Sequence, residues 1–263
     1  MKTLVKIVLN ILFIVAVLLF SISLTLNFQI LDANFWKNTF NDNGIYSQLS
    51  TAIKNNLDSQ VVAGGGSKSD AAPLTSLVTP DALKDFIDNN IDNLLGFING
   101  KNKEIVVYIP VQKITGSLLP TGIDGISEEM PINDLLTEFN VQGVSVSQIE
   151  QVKILGTVST YIFVLSAILM ILILFALNFS GLTILLGGLF AGIGAVTVFF
   201  FKNAITLGLS GEQSLPAIIL RIISPPVLQK IYNLWLYESI IMIFVGIVLF
   251  FVKKQYNQHN KFK

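Results

Sequence analysis

The 263-residue chain has no cysteine and a single histidine, His259. Without cysteine there are no disulfides, thiolate metal sites or cysteine nucleophiles. One histidine in a basic tail also removes His-relay triads, zinc sites of the His/Cys type and HExxH chemistry. Only carboxylate or Ser-Lys mechanisms remain, and no motif proposes either. We therefore expect no enzyme, and no catalytic, cofactor-binding or metal-binding residues. Charge is scarce too: 13% of residues are charged, against about 25% in soluble proteins. With 52% hydrophobic residues and a mean hydropathy of +0.67, the composition is that of a membrane protein.

Long apolar runs dominate what is present. Residues 158–177 and 182–201 are uncharged stretches separated only by 178–181. About 20 apolar residues rise roughly 30 Å as a helix, the thickness of a hydrocarbon core. In lipid the backbone must satisfy its own hydrogen bonds, so the pair reads as a transmembrane hairpin. Residues 7–28 form a first span, interrupted by Asn10, and are expected to remain uncleaved because no strong signal-peptidase site follows. Residues 234–252 form a fourth, ended by Lys253 and Lys254.

Charge sets the expected orientation. Residues 32–150 hold fifteen acids against seven lysines, a balance of −8, whereas Lys2, Lys6, Lys253, Lys254, Lys261 and Lys263 mark the two ends. Basic residues favour the cytoplasmic side. The expectation is a plasma-membrane, all-α protein of four transmembrane helices. Residues 1–6, 178–181 and 253–263 would then be cytoplasmic, and a mostly helical, minor-β domain over 29–157 extracytoplasmic. Residues 202–233 would form a smaller outer loop, lying in the interface or dipping into it, with Pro225 and Pro226 breaking any helix.

Within 29–157, residues 32–62 are helical in pattern and broken at Asn43-Gly44, a turn pair. Ile45, Leu49, Ile53 and Leu57 then recur every four residues, as on an amphipathic helix. Residues 63–79 read as a flexible Gly/Ser loop, and their three glycines lack the flanking residues of a phosphate-binding loop. Thr79-Pro80-Asp81 opens a helix and Gly100 closes it. On that helix Asp81, Asp85, Asp88 and Asp92 form one stripe, expected to be a solvated face. Residues 104–111 suggest a strand with 141–146 as partner, and 112–119 and 131–139 suggest short helices. Ser147 to Glu150 fits a capping box, which would start one continuous helix over 148–177.

Four residues stand out as functional candidates. Glu238 must sit inside the outer boundary, because the uncharged stretch 239–252 covers only about 21 Å at 1.5 Å per residue. An intramembrane carboxylate is a functional hypothesis by default. Arg221, Lys202 and Lys230 are its possible partners; otherwise it reaches the headgroups beside Trp235 and Tyr237. Gly188 and Gly192 form a small-xxx-small pair suited to close helix packing. The favoured function is a non-enzymatic scaffold that displays the acidic outer domain to bind a ligand or another membrane or extracytoplasmic protein. A transport or channel subunit using Glu238 and Arg221 is the alternative. The lipid bilayer is the expected environment, nothing suggests nucleic acid, and the basic tail is placed to touch anionic lipid. A large first outer loop and a smaller second one make the layout similar to that of tetraspanins and claudins, but their cysteine motifs are absent.

Overall fold

The computed structural model describes residues 3–110, 129–131 and 146–259, with the backbone alone at 146–150, 152 and 257–259. The chain divides into two compact units: a bundle (Met1–Gln29, Val158–Ala204, Leu228–Lys263) and an intervening unit (Ile30–Thr157, Ile205–Val227).

Four helices are long and apolar enough to cross a membrane: Thr3–Ile30, Lys153–Ala176, Gly181–Gly208 and Leu215–Tyr256. The first is helix α1 (Thr3–Thr25) continued by a π-helical turn, Leu26–Ile30. The others belong to α6 (Val146–Ala176), α7 (Gly181–Gly208) and α8 (Leu215–His259). Their inner stripes meet in a core of Phe13, Val17, Ile173, Leu177, Ile184 and Ala191. Their outer faces are equally apolar yet bare, with Leu165, Phe200 and Phe244 about two-thirds exposed. Helices greasy on all sides and packed on only one suit a lipid environment. The protein is a mostly helical, multi-pass membrane protein.

Polar contacts fix which helix ends lie together in the bundle. Thr183 Oγ1 donates to Asn10 Oδ1 at 2.6 Å, and Lys253 Nζ to the Asn178 carbonyl at 2.8 Å. The start of α1, the α6–α7 turn and the basic end of the α8 span therefore share one end. At the other, Ser159 and Thr160 donate to Asn27 Oδ1, and Gln29 Nε2 to the Lys230 carbonyl at 3.2 Å. The α6–α7 turn holds Asn178 and Phe179 in succession at φ 51° and 50°. That region is costly for side chains with a Cβ, so the Lys253 bond to the turn is a useful clamp.

The intervening unit contains α2 (Ala33–Asp42), α3 (Ile45–Ala63), α4 (Lys68–Leu77) and α5 (Pro80–Ile98). Gly44, at φ 60°, makes the expected break between α2 and α3. Thr79 caps α5, its side chain accepting from the Ala82 amide at 3.1 Å. One core joins Phe40, Ile45, Tyr46 and Leu49 to Leu83, Ile87, Ile219, Ile222 and Ile223. A second joins Leu31, Leu95, Phe97, Ile98 and Ile105.

Three expectations need correction. Residues 63–79 are not all loop, because α4 occupies Lys68–Leu77: the Ser67 amide and hydroxyl both donate to the Asp70 carboxylate, at 2.7 and 2.8 Å, and hold its first turn. The strand β1 (Val106–Tyr108) pairs antiparallel with β2 (Glu129–Pro131), a segment whose last residue is expected in a helix, the expected partner being 141–146. Of that expected partner only Val146 is described, and it begins α6. Finally, Pro225 and Pro226 do not break the chain into interfacial pieces but lie inside α8. Two missing amides remove two helical hydrogen bonds, while Ile219, Ile222, Ile223 and buried Val227 anchor the turns before and after. The short helix expected over 112–119, and that over 131–139 beyond Pro131, lie outside the described residues.

Candidate functional site

The bundle places Glu238 on a polar seam between α1 and α8. Ser21 and Thr25, four residues apart, share a face of α1, and Gln29 follows in the π-helical turn. Thr25 accepts from Trp235 Nε1 at 2.8 Å, and Gln29 reaches the Lys230 carbonyl. Ser21 lies beside Glu238. Its hydroxyl donates instead to the Val17 carbonyl at 2.9 Å, and both Glu238 carboxylate oxygens are buried without a hydrogen-bond partner. Gln29 Oε1 is in the same condition. The Glu238 carboxylate is therefore buried, and the ion pairs Lys37–Asp92 and Lys84–Asp88 do not involve it. Lys202 donates to Gln229 at 2.6 Å, and Arg221 belongs to the other unit.

Gly188 and Gly192 face α8. Ser239 Oγ donates to the Gly188 carbonyl at 2.7 Å, and a Cβ at Gly192 would stand 2.8 Å from the same hydroxyl. A Cβ at Gly188 would stand 2.9 Å from the Ile243 backbone nitrogen. The small-xxx-small pair is thus spent on packing within this chain.

Arg221 lines an open groove of about 690 Å³ in the intervening unit. One wall is the polar face of α3, where Ser47, Thr51, Asn55 and Ser59 recur every four residues beside Gln48 and Asn56. That periodicity is the complement of the Ile45/Leu49 stripe, which turns into the core. The facing wall is Gln213 with the first turns of α8: Ile218, Arg221 and Ile222. Among the described residues Arg221 is the one charged side chain in the lining, its Nη1 donating to the Ser210 carbonyl at 3.3 Å. An adjoining hollow of about 500 Å³ shares Asn55 and Ser59 and adds Asp58 and Lys68. Amides, hydroxyls and one planar cation can hold a ligand. Sequence reasoning found Arg221 but missed Asn55, Asn56 and Gln213; the available signal was the polar four-residue repeat on α3.

The acidic stripe of α5 is not simply a solvated face. Asp88 accepts from the Tyr46 hydroxyl and from Lys84 at 2.6 Å, and Asp92 pairs with Lys37. Burial, reinforced by the hydrogen bond to Asp88 and its charge, raises the Tyr46 pKa. Among the described residues no group of three or more His, Asp or Glu converges to hold a metal ion. No family model, curated protein or solved structure matches the chain.

Proposed function

We propose that this is a non-enzymatic component of the plasma membrane that binds a ligand through the α3–Arg221 groove. The intervening unit faces the extracytoplasmic side, and both chain ends lie in the cytoplasm. The carrying observation is the groove itself: a ligand-sized hollow with convergent polar groups, where pockets that hold small ligands measure about 300–1,000 Å³. The orientation is supported by the grouping of the α1 start, the α6–α7 turn and Lys253 at one end of the bundle, since lysines favour the cytoplasmic side. The acid excess of residues 32–150 fits the opposite side. The test is a thermal-shift screen of a small-molecule and peptide library on the full chain in detergent. Ligands that stabilise the wild type and not Asn55→Trp, which fills the groove, support this reading. A screen without such ligands contradicts it.

A second reading, a transport subunit, is favoured by the orphaned carboxylate of Glu238. It predicts ion flux in proteoliposomes that disappears in Glu238→Gln; unchanged flux, or none in the wild type, dismisses it.

A further inference from the structure

We propose that the groove takes the free carboxyl terminus of a short peptide, with Arg221 clamping the carboxylate; this rests on the groove being the binding site. Arg221 is half-buried and spends one donor on the Ser210 carbonyl at 3.3 Å, which fixes its position and leaves the planar fork for a ligand. That fork matches a carboxylate bidentately. Among the described residues the lining holds no acid to neutralise it, so Arg221 is the single positive point of that lining, in a region whose balance over 32–150 is −8. One cation in such a field admits a monoanion and repels polyanions such as nucleoside diphosphates. Among the described residues no aromatic side chain lines the groove, so that lining offers no stacking surface for a nucleobase.

The rest of the wall completes the match. Asn55 presents an amide with donors and an acceptor, the complement of peptide N–H and C=O groups. Gln48 Nε2 already donates to the Asn43 carbonyl at 2.9 Å and Asn56 Oδ1 accepts from Gln60 Nε2 at 2.7 Å, which leaves the Gln48 side-chain carbonyl oxygen and the Asn56 amide nitrogen to face a ligand. Ala52, Ile218 and Ile222 supply an apolar strip for an aliphatic side chain. A carboxylate clamp, amide-pairing groups and an apolar strip in one hollow is the set that captures a chain end.

The experiment uses the full chain in detergent and native mass spectrometry. The probes are a mixture of N-acetylated tripeptides with free carboxylates, the same mixture amidated at the carboxyl end, and inorganic phosphate. The free-acid mixture is expected to bind at least about tenfold more tightly than the amides, the worth of a charge-assisted hydrogen bond. Arg221→Gln should lower free-acid binding to the amide level, Arg221→Lys should fall between, and Asn55→Trp should abolish both. Equal binding of acid and amide, preference for phosphate, or no peptide binding overturns the inference. The comparison of acid with amide on the wild type stands even if a variant fails to fold. If library ligands lost in Asn55→Trp exist while free-acid peptides do not bind, the groove reading survives and this inference alone fails.

Discussion

Asp70 is fully exposed, yet its carboxyl sits below the ordinary aspartate range because the Ser67 amide, and then the Ser67 hydroxyl, donate to its ionised form. A group whose pKa is depressed on folding lends stability that is complete above its unfolded pKa and fades as pH falls through the folded one. The α4 start should therefore loosen only in acid. Carboxyl carbon NMR should give Asp70 a midpoint below that of an unstructured peptide, and Ser67→Ala should raise it; a midpoint at or above the peptide value contradicts the cap. Tyr46 has the opposite sign. Its phenol is raised chiefly by burial, so the unfolded chain ionises first, and the contribution is present below the unfolded pKa and lost as pH rises toward the folded one. Tyr46→Phe removes a hydrogen bond to a charged acceptor and should cost about 1.5–3 kcal/mol in chemical denaturation. At this scale the sequence was legible wherever a local rule sufficed: Thr79 before Pro80, or Asn43 before Gly44. The Ser67–Asp70 cap was hidden by the run of glycines before it, which drew attention to composition rather than to spacing.

At the scale of elements, the glycines of α7 and α8 matter as surfaces. A Cβ at Gly181 would meet the Phe250 backbone nitrogen at 2.4 Å and the Gly246 carbonyl oxygen at 2.5 Å, neither of which can rotate away. Gly181→Ala should lower thermal stability in detergent by about 1–3 kcal/mol, the range for overpacking. Gly208→Ala, with nothing within 4 Å, should be neutral within error. Equal effects would refute the close α7–α8 contact. The apolar lengths of the four spans were readable because lipid permits so few backbone structures. The continuity of α8 was not. Pro225-Pro226 carries a strong local breaking signal, overridden by Ile219, Ile222 and Ile223 packing on α3 and α5, a contact distant in sequence. For the same reason the groove was invisible beforehand: Asn55 and Arg221 become neighbours only when α8 docks on its own unit.

For the whole molecule, four crossings and the basic ends are the framework on which the proposed function depends. In the proposed orientation, the residues of the intervening unit are extracytoplasmic and the basic end of α8 is cytoplasmic. The cysteine-free chain makes this directly measurable, since each introduced thiol reports alone. Lys101 and Gln255 are both exposed, one in the intervening unit and one at the basic end of α8, just after Lys253 and Lys254. With a membrane-impermeant maleimide on intact cells, Lys101→Cys should be labelled and Gln255→Cys only after permeabilisation. Labelling of Gln255→Cys in intact cells, or protection of Lys101→Cys, would contradict the account.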